Sequence, residues 1–401
     1  MPLDLSRRRI AARTAFGGAA RGKASQDAIA GLKVSHILVP FPQAISDAKV
    51  LTGRQKPLDS VDILLVEAVS EAGQTGLGYG YTLRNGGAAQ FALAAEIAPA
   101  LIGEDPNDID RLWEKLRWQV NSLGRGGLGP QVIAAFDTAL WDMKAKRAGL
   151  PLAKLFGAHR DTVRIYNSDG QYLQASVDEM KAAADTSLAS GIGGIKMKVG
   201  QPDGMIDLRR IDAMRSHLPD DIPLMIDANQ QWDRAYALQF GRIVDDMGLG
   251  FIEEPLDALD FEGHAMLADN LATPIATGEM LTSTAEAFDL IRKGGCDICQ
   301  TDAPRIGGVT PFLKVMAMAE ACRVDLAPHW MMELQIHLAA AYPEETWVEH
   351  FHMLEPLFNE RLDIENGRVA VPDRPGLGLS ITGQGRDWTR NTVSVGNTHG
   401  I

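Results

Sequence analysis

The sequence predicts an α/β protein in which a parallel (β/α) barrel follows a smaller α+β domain. Its 401 residues exceed what one small core needs and suit one large domain plus a second, smaller one. In the C-terminal part, short apolar segments recur with helical stretches between them, which is the rhythm of a parallel barrel. A polar residue stands at or just after the end of one such segment after another. Barrels collect their functional side chains at those strand ends.

The N-terminal part is predicted to be an α+β domain because strand-like segments come first and helical ones follow. Residues 61–68 are rich in β-branched and aliphatic side chains and precede a glycine-rich stretch, which is typical of a strand and a turn. Residues 131–148 have helical periodicity, and Gly149 follows them as a stop signal. We predict that this domain comprises residues 32–155 and that residues 1–31 form a flexible basic leader.

Eight apolar segments are the candidate barrel strands. They cover residues 163–167, 194–199, 223–227, 250–253, 275–277, 298–301, 324–327 and 347–349. Polar residues at or beside their C-terminal ends are Lys196, Lys198, Asp227, Glu253, Glu279, Asp302, His329 and Glu349. From Lys198 onwards, neighbouring members are 20 to 29 residues apart, about the length of one βα unit. A closed barrel is therefore expected to bring these side chains to one mouth.

Composition excludes several classes of partner. The formal charge is −13, which argues against nucleic acid or an anionic membrane surface as a partner. No stretch approaches the ~20 apolar residues that a membrane span requires.

Three cysteines are too few for a disulfide scaffold and favour a reducing, cytoplasmic location. Cys296 and Cys299 form a C-x-x-C motif, which we interpret as buried strand residues and not as a redox or zinc site.

Three strand-end carboxylates predict a magnesium site. Asp227, Glu253 and Glu279 come from successive strands and supply the hard oxygen ligands that Mg²⁺ prefers. In the pair Glu253-Glu254 the side chains are expected on opposite faces of the strand, so only Glu253 is a candidate ligand. A single acid at a strand end is more often a surface carboxylate. Three acids in register favour the metal site.

Two groups of candidate acid–base residues flank these carboxylates. Lys196 and Lys198 lie two residues apart on one strand face, where each is expected to lower the pKa of the other and make one of them a base. Asp302 is expected to orient His329 for proton transfer. Glu349, if protonated, and the Asn229 amide could donate hydrogen bonds to a substrate carboxylate. Such a set suits removal of a proton α to a carboxylate, with Mg²⁺ holding the enediolate.

The combined motifs resemble the mandelate racemase branch of the enolase superfamily. They are Lys196-x-Lys198, Asp227-Ala228-Asn229, Glu253-Glu254-Pro255, Gly278-Glu279, Asp302 and His329. The resemblance implies a modified TIM barrel, (β/α)7β, with an N-terminal α+β capping domain. It implies a barrel at residues 156–365 and a capping domain that the C-terminal segment 366–401 completes.

The resemblance also implies roles for individual residues. By position these are the Mg²⁺ ligands Asp227, Glu253 and Glu279, the base Lys198 with its substrate-contacting partner Lys196, the Asp302–His329 dyad and the carboxylate-binding Glu349. Residues 46–57 are similar to a loop of the dehydratases in this branch that act on six-carbon sugar diacids. That similarity implies that Asp47, Lys49 and Arg84 meet the distal end of such a substrate.

We therefore expect a hydro-lyase that converts a hexaric acid to a 2-keto-3-deoxy diacid through α-proton abstraction and an enediolate. A racemase or epimerase that uses the same Lys198 and His329 stays open as an alternative, as does the choice of the residue that starts the reaction. A non-catalytic sugar-acid binding protein predicts the loss of a ligand or base, and none is lost. A metal-dependent aldolase barrel would not need both lysines and the Asp–His pair. The expected partners are a small diacid and further copies of the chain, from a dimer to an octamer.

Overall fold

The computed structural model describes residues 27–401. Its N-terminal elements are β1 (Ile29–Ile45), α1 (Ala48–Leu51), β2 (Leu58–Ser70), β3 (Thr75–Leu83), α2 (Gly87–Ile97), α3 (Ile109–Gln119), α4 (Leu128–Ala148) and α5 (Leu152–Leu155). The next elements are β4 (Thr162–Asn167), α6 (Val177–Ala189), β5 (Ile195–Lys198), α7 (Gly204–Arg215), β6 (Leu224–Asp227), α8 (Arg234–Val244), β7 (Leu249–Glu253), α9 (Phe261–Asn270), β8 (Ile275–Thr277) and α10 (Thr284–Arg292). The C-terminal elements are β9 (Ile298–Cys299), α11 (Ala303–Ile306), α12 (Val309–Cys322), β10 (Asp325–Leu326), α13 (Met332–Ala341), β11 (Trp347–His350), β12 (Ile364–Glu365), β13 (Arg368–Ala370), α14 (Gly383–Asp387) and β14 (Thr389–Gly396).

Strands β4 to β11 are the eight parallel strands of the barrel. Neighbouring strands from β4 to β10 are hydrogen-bonded in chain order, and β11 pairs with β4, which brings the last strand beside the first. Helices follow the first seven of these strands, so the arrangement is the predicted (β/α)7β barrel. Each predicted strand lies within two residues of the observed one at both ends. The prediction of the fold class is confirmed.

A four-stranded antiparallel sheet, in the order β14-β1-β2-β3, forms the capping domain together with the N-terminal helices. Its strand β3 has two different faces, because side chains alternate along a strand. On one face, a Cβ at Gly78 would lie 2.1 Å from the carbonyl oxygen of Ala135, so glycine lets helix α4 approach the sheet closely. On the other face, Tyr79 and Tyr81 are buried in a core that also contains Trp330 of the barrel. The two domains therefore share a hydrophobic core.

Two domain boundaries differ from the prediction. Strand β1 begins at Ile29, inside the predicted leader, because Gly31 pairs with both Val69 and Gly396. Most of that leader, residues 1–26, lies outside the described residues. At the other end, β14 pairs with β1, but β13 pairs with β4. Residues 368–370 thus extend the barrel sheet, and the chain reaches the capping sheet only at its last strand.

Three further features bear on the sequence interpretation. Between residues 27 and 401, no helix is both long enough and apolar enough to cross a membrane. The polar loop at 46–57 contains a short helix, α1, whose first turn the Asp47 side chain caps by accepting a hydrogen bond from the amide of Val50. Cys296 and Cys299 are both buried and unoxidised.

Candidate active site

A cavity of about 310 Å³ opens between the C-terminal ends of the barrel strands and the loops of the capping domain. Most of the predicted site residues line it. They are Asp47, Lys49, Arg84, Lys196, Lys198, Asn229, Glu279, His329 and Glu349. Asp227, Glu253 and Asp302 are fully buried and are hydrogen-bonded to members of this group. The predicted residues therefore converge on one place.

The three predicted metal ligands stand at the ends of three neighbouring strands. Asp227 and Glu253 are the last residues of β6 and β7 and are paired in register, while Glu279 follows β8 by two residues. Each of them contacts a basic side chain. Lys198 donates to Asp227, Lys196 donates to both oxygens of Glu253 at 2.7 Å, and His329 Nε2 lies 3.4 Å from Glu279 Oε2. With these side chains as they stand, residues 27–401 contain no group of three or more Asp, Glu, His or Cys side chains arranged to hold a metal ion.

The composition and charge of this cluster nevertheless fit a divalent cation. All the candidate ligand atoms are carboxylate oxygens, the type that Mg²⁺ prefers. Burial raises the pKa of Glu253 well above its usual range; Lys196 opposes that rise, and the carboxylates of Asp227 and Glu279 add to it. The site thus holds more buried negative charge than its lysines neutralise. A dication held by Asp227, Glu253 and Glu279 would supply the missing positive charge.

The prediction of a net drop in the pKa of the paired lysines is wrong for this structure. Burial and Lys196 do lower the pKa of Lys198, but the adjacent Asp227 carboxylate more than offsets them, and the net pKa is raised. Lys196 is fully buried between Glu253 and Glu349, 2.7 Å from an oxygen of each, and its pKa is also raised. The expectation failed because it treated the lysines as unpaired, whereas acids from neighbouring strands reach both of them.

Asp302 and His329 form the predicted contact across two adjacent strands. Asp302 Oδ2 lies 2.8 Å from His329 Nδ1, and Asp302 Oδ1 accepts a hydrogen bond from the amide of Arg305 at 3.0 Å. Burial lowers the pKa of His329, but the carboxylates of Glu279 and Asp302 outweigh it and raise that pKa. Asp302 therefore orients the imidazole through Nδ1, and Nε2 faces the carboxylate of Glu279.

Two predicted hydrogen-bond donors are engaged differently from the expectation. Glu349 accepts hydrogen bonds from the Ser168 hydroxyl at 2.6 Å and the Trp330 amide at 3.0 Å and pairs with Lys196. Although burial raises its pKa, Lys196 and the other donors lower it below the usual range, so Glu349 is ionised and does not donate. The Asn229 amide nitrogen donates to Asp227 at 3.1 Å. Its oxygen is buried with no hydrogen-bond partner among residues 27–401.

The three predicted contacts from the capping domain line the cavity on the side of that domain. Arg84 donates to Asp47 at 3.2 Å and to the carbonyl oxygen of Lys56 at 2.8 Å, so it connects two loops of that domain. The ammonium of Lys49 has no hydrogen-bond or ion-pair acceptor within the part of the chain that the structure describes. Among the described basic residues that line the cavity from the capping domain, Lys49 therefore lacks a direct partner, whereas Arg84 is paired with Asp47. The charge of Lys49 is still felt by a neighbouring acid: burial raises the pKa of Glu254, and Lys49 opposes that rise.

Three buried residues of the site were missed by the sequence interpretation. Gln300 donates to Glu253 at 2.5 Å, and Tyr81 and Arg305 adjoin the Asp302–His329 pair. Tyr81 comes from the capping domain, more than 200 residues away from Asp302 along the chain. A charged residue inside the apolar run 303–306 was a signal that could have indicated Arg305. No local pattern pointed to Tyr81.

This site defines a class of enzyme: a barrel with carboxylates on three adjacent strands, a lysine on one side and an Asp–His pair on the other. Comparison with known proteins agrees with that class. Residues 179–385 match the enolase C-terminal domain-like family, and residues 55–157 match the mandelate racemase/muconate lactonizing enzyme N-terminal domain. The chain belongs to the mandelate racemase/muconate lactonizing enzyme family of the enolase superfamily, as its motifs predicted.

Several relatives are similar over nearly the whole chain. L-talarate/galactarate dehydratase of Salmonella typhimurium is 53% identical over 92% of this chain and 93% of its own length. Its structure with Mg and L-lyxarohydroxamate superimposes with a TM-score of 0.92 and covers 94% of this chain and 97% of that one, at 52% identity. The structure of L-talarate dehydratase from Polaromonas sp. JS666 with Mg and L-glucarate has a TM-score of 0.91 and 57% identity, covering 92% of this chain and all of that one.

Proposed function

We propose that this protein is a Mg²⁺-dependent hydro-lyase that dehydrates a hexaric acid, L-talarate or galactarate, to a 2-keto-3-deoxy diacid. The observation that carries the proposal is one cavity with acid–base residues on its barrel side and, on its capping-domain side, an ammonium, Lys49, that has no direct partner among residues 27–401. A diacid has one carboxylate for each end. The similarity to dehydratases at 53% and 57% identity supports the same activity.

The barrel side of the cavity would bind the reacting carboxylate. Asp227, Glu253 and Glu279 would hold the Mg²⁺ ion, which as a Lewis acid stabilises the charge that develops on that carboxylate when the α-proton leaves. Lys196 supplies a buried positive charge at the same place, and Glu349 keeps it there by an ion pair of 2.7 Å. Because the cavity lies under the loops of the capping domain, these charges act in a partly desolvated setting, which strengthens them.

Lys198 and His329 would carry out the proton transfers. One of them takes the proton from the carbon α to the bound carboxylate, and the electron pair of that C–H bond forms the enolic double bond. The β-hydroxyl then leaves with its C–O electron pair and a proton from the acid, as water. The resulting enol takes up a proton at the β-carbon and becomes the keto acid. Asp302 keeps the imidazole of His329 oriented throughout.

The capping-domain side of the cavity would distinguish diacids from monoacids. Lys49 would bind the distal carboxylate, and Arg84, held by Asp47, would contact the same end of the substrate. The whole protein carries a net charge of −13, so local cations are needed to attract a dianion. Lys49 and Arg84 are the basic residues of the capping domain that line this cavity.

The test is to incubate the purified protein with Mg²⁺ and either galactarate or L-talarate and to assay for a 2-keto product. Dehydration gives a keto acid that reacts with a carbonyl reagent, and chelation of the metal abolishes its formation. The rival function, a racemase or epimerase using the same Lys198 and His329, would give epimerised diacid without any keto product. That outcome would replace the dehydratase proposal.

We also propose a cytoplasmic location and a homo-oligomeric state. None of the three cysteines forms a disulfide, and two of them are buried, which suits a reducing compartment. Large apolar side chains are exposed at Trp118 and Leu123, at the end of α3, where a second copy of the chain could cover them. Light scattering of the purified protein measures the number of copies.

A further inference from the structure

A tyrosine of the capping domain joins the Asp302–His329 pair of the barrel. Tyr81 lies on β3, and its hydroxyl oxygen is 2.7 Å from Asp302 Oδ2 and 3.4 Å from His329 Nδ1. On the other side, Arg305 Nε is 2.8 Å from the same hydroxyl oxygen. All four side chains are almost completely buried, and Tyr81, Arg305 and His329 line the cavity. The four groups thus form one hydrogen-bonded chain.

The chemistry of these groups determines where the protons lie. A guanidinium has only donors, so Arg305 donates and the Tyr81 oxygen accepts. The single hydroxyl hydrogen of Tyr81 is then free to go to the nearer acceptor, Asp302 Oδ2. Burial raises the pKa of Tyr81 well above its usual range, which keeps that hydrogen on the tyrosine.

The same Asp302 oxygen must also accept from His329, because a carboxylate offers no hydrogen of its own. Nδ1 of His329 therefore carries a hydrogen, and in the neutral ring Nε2 is the nitrogen that is free to take a proton. The Tyr81 oxygen lies 3.4 Å from Nδ1, farther than the 2.8 Å to Asp302, so Nδ1–H donates mainly to Asp302. The Nδ1–H tautomer of His329 thus depends on Asp302, which the Tyr81 hydroxyl holds at Oδ2 and the Arg305 amide holds at Oδ1.

We propose that Tyr81 is a positioning residue for the proposed reaction, through which the capping domain sets the orientation and tautomer of the Asp302–His329 pair. The capping domain would then contribute to catalysis as well as to substrate selection. Two further contacts hold Tyr81 itself. The backbone carbonyl oxygen of Tyr81 accepts a hydrogen bond from the side-chain amide of Gln90 at 3.0 Å. Its ring packs edge-on against Trp330, with 4.5 Å between the ring centroids. The proposal rests on the proposed function only for its kinetic test.

The test removes one hydroxyl group. In Tyr81→Phe, kcat for the preferred hexaric acid is expected to fall about 10- to 100-fold, the usual effect of losing one hydrogen bond to a charged group, with KM changed less than about threefold. The matched control is Tyr79→Phe. Tyr79 lies two residues away on the same strand face and is equally buried, but its hydroxyl has no hydrogen-bond partner in residues 27–401. Its removal should change kcat less than about twofold.

A double-mutant cycle separates positioning from a general structural effect. If Tyr81 acts through Asp302, adding Tyr81→Phe to Asp302→Asn should cause little further loss in kcat. A loss in the double variant equal to the product of the two single losses would overturn the proposal. Equal kcat for Tyr81→Phe and Tyr79→Phe would overturn it too, as would a rise in KM at constant kcat, which would indicate a direct substrate contact.

A spectroscopic measurement tests the same idea without turnover. Nitrogen NMR of histidine-labelled protein, with His329 assigned from the His329→Gln spectrum, should show the Nδ1–H tautomer in the wild type and a mixture in Tyr81→Phe. An unchanged tautomer would contradict the proposal. If the wild-type protein fails to dehydrate any hexaric acid, the proposed function fails, and the NMR result still decides the role of Tyr81.

Discussion

Replacing Lys49 with methionine should make the enzyme lose its preference for diacids. Lys49 lines the cavity on its capping-domain side, and its ammonium has no hydrogen-bond or ion-pair acceptor within residues 27–401, so its positive charge is available to a ligand. A charge-assisted hydrogen bond contributes about 1.5–3 kcal/mol, and each ~1.4 kcal/mol is a factor of ten. The expected loss in kcat/KM for galactarate or L-talarate is therefore roughly 10- to 150-fold. Methionine keeps the length and apolar stem of the side chain, so the loop should keep its packing.

The assay compares a hexaric acid with a six-carbon aldonic acid, which lacks the second carboxylate. The aldonic acid should lose less than about threefold, since the missing ammonium has no partner on it. Lys56→Met is the control, because Lys56 lies in the same loop but is exposed and outside the cavity lining. Equal losses for both substrates, or an equal loss in Lys56→Met, would refute the assignment of Lys49 to the distal carboxylate.

Three further predictions follow from the contacts. Lys198→Ala should abolish exchange of the α-proton with solvent while Mg²⁺ affinity, measured by calorimetry, changes little; normal turnover would disprove its role as a base. Arg84→Ala should lower kcat/KM for hexaric acids by up to the same ~10- to 150-fold, and far less for an aldonic acid. Equal losses for both substrates would show that Arg84 does not bind the distal carboxylate. Burial lowers the pKa of His337 to about 4 from its usual 6.5, so the unfolded chain binds a proton at higher pH than the folded one. The contribution of His337 to stability is therefore complete above about pH 6.5 and is lost as the pH falls towards 4, by about 3 kcal/mol in total. The difference in melting temperature between wild type and His337→Gln should change over that pH range, and a constant difference would contradict the shift.

Much of the architecture could be predicted because it depends on local patterns. Each barrel strand is a short apolar run between helical segments, and burial on both faces leaves little freedom in where it begins and ends. The polar residues at the strand ends could be assigned to one mouth because parallel strands all end on the same side. Helix α4 ends at Ala148, where Gly149 adopts a left-handed conformation, as the stop signal predicted. The predictions of the domain boundaries were less accurate. Gly31 pairs with β14 and Val369 pairs with β4, and each of these pairings joins segments that are distant in the sequence.

The active site also has features that local patterns predicted and features that only packing decided. The identities of Asp227, Glu253 and Glu279, and the presence of lysine and histidine beside them, followed from spacing along the chain. The partners of these groups did not. Lys198 pairs with Asp227 and Tyr81 with Asp302 across 29 and 221 residues, and such contacts depend on how strands and domains pack. The expected drop in the lysine pKa failed for that reason.

By itself, the sequence determined the family, the barrel, the acidic residues at three strand ends and the acid–base groups that flank them, because each is written in a short motif or a regular spacing. Only the tertiary structure decided which carboxylate each lysine contacts and that Glu349 is ionised. It also decided that Arg84, and not Lys49, has an ion-pair partner among residues 27–401, and that Tyr81 contacts Asp302 from another domain. The physical reason is that charge and hydrogen-bond energies depend on distances of a few ångströms between atoms. Those distances are set by the packing of segments that are far apart in the sequence, so local motifs do not predict them.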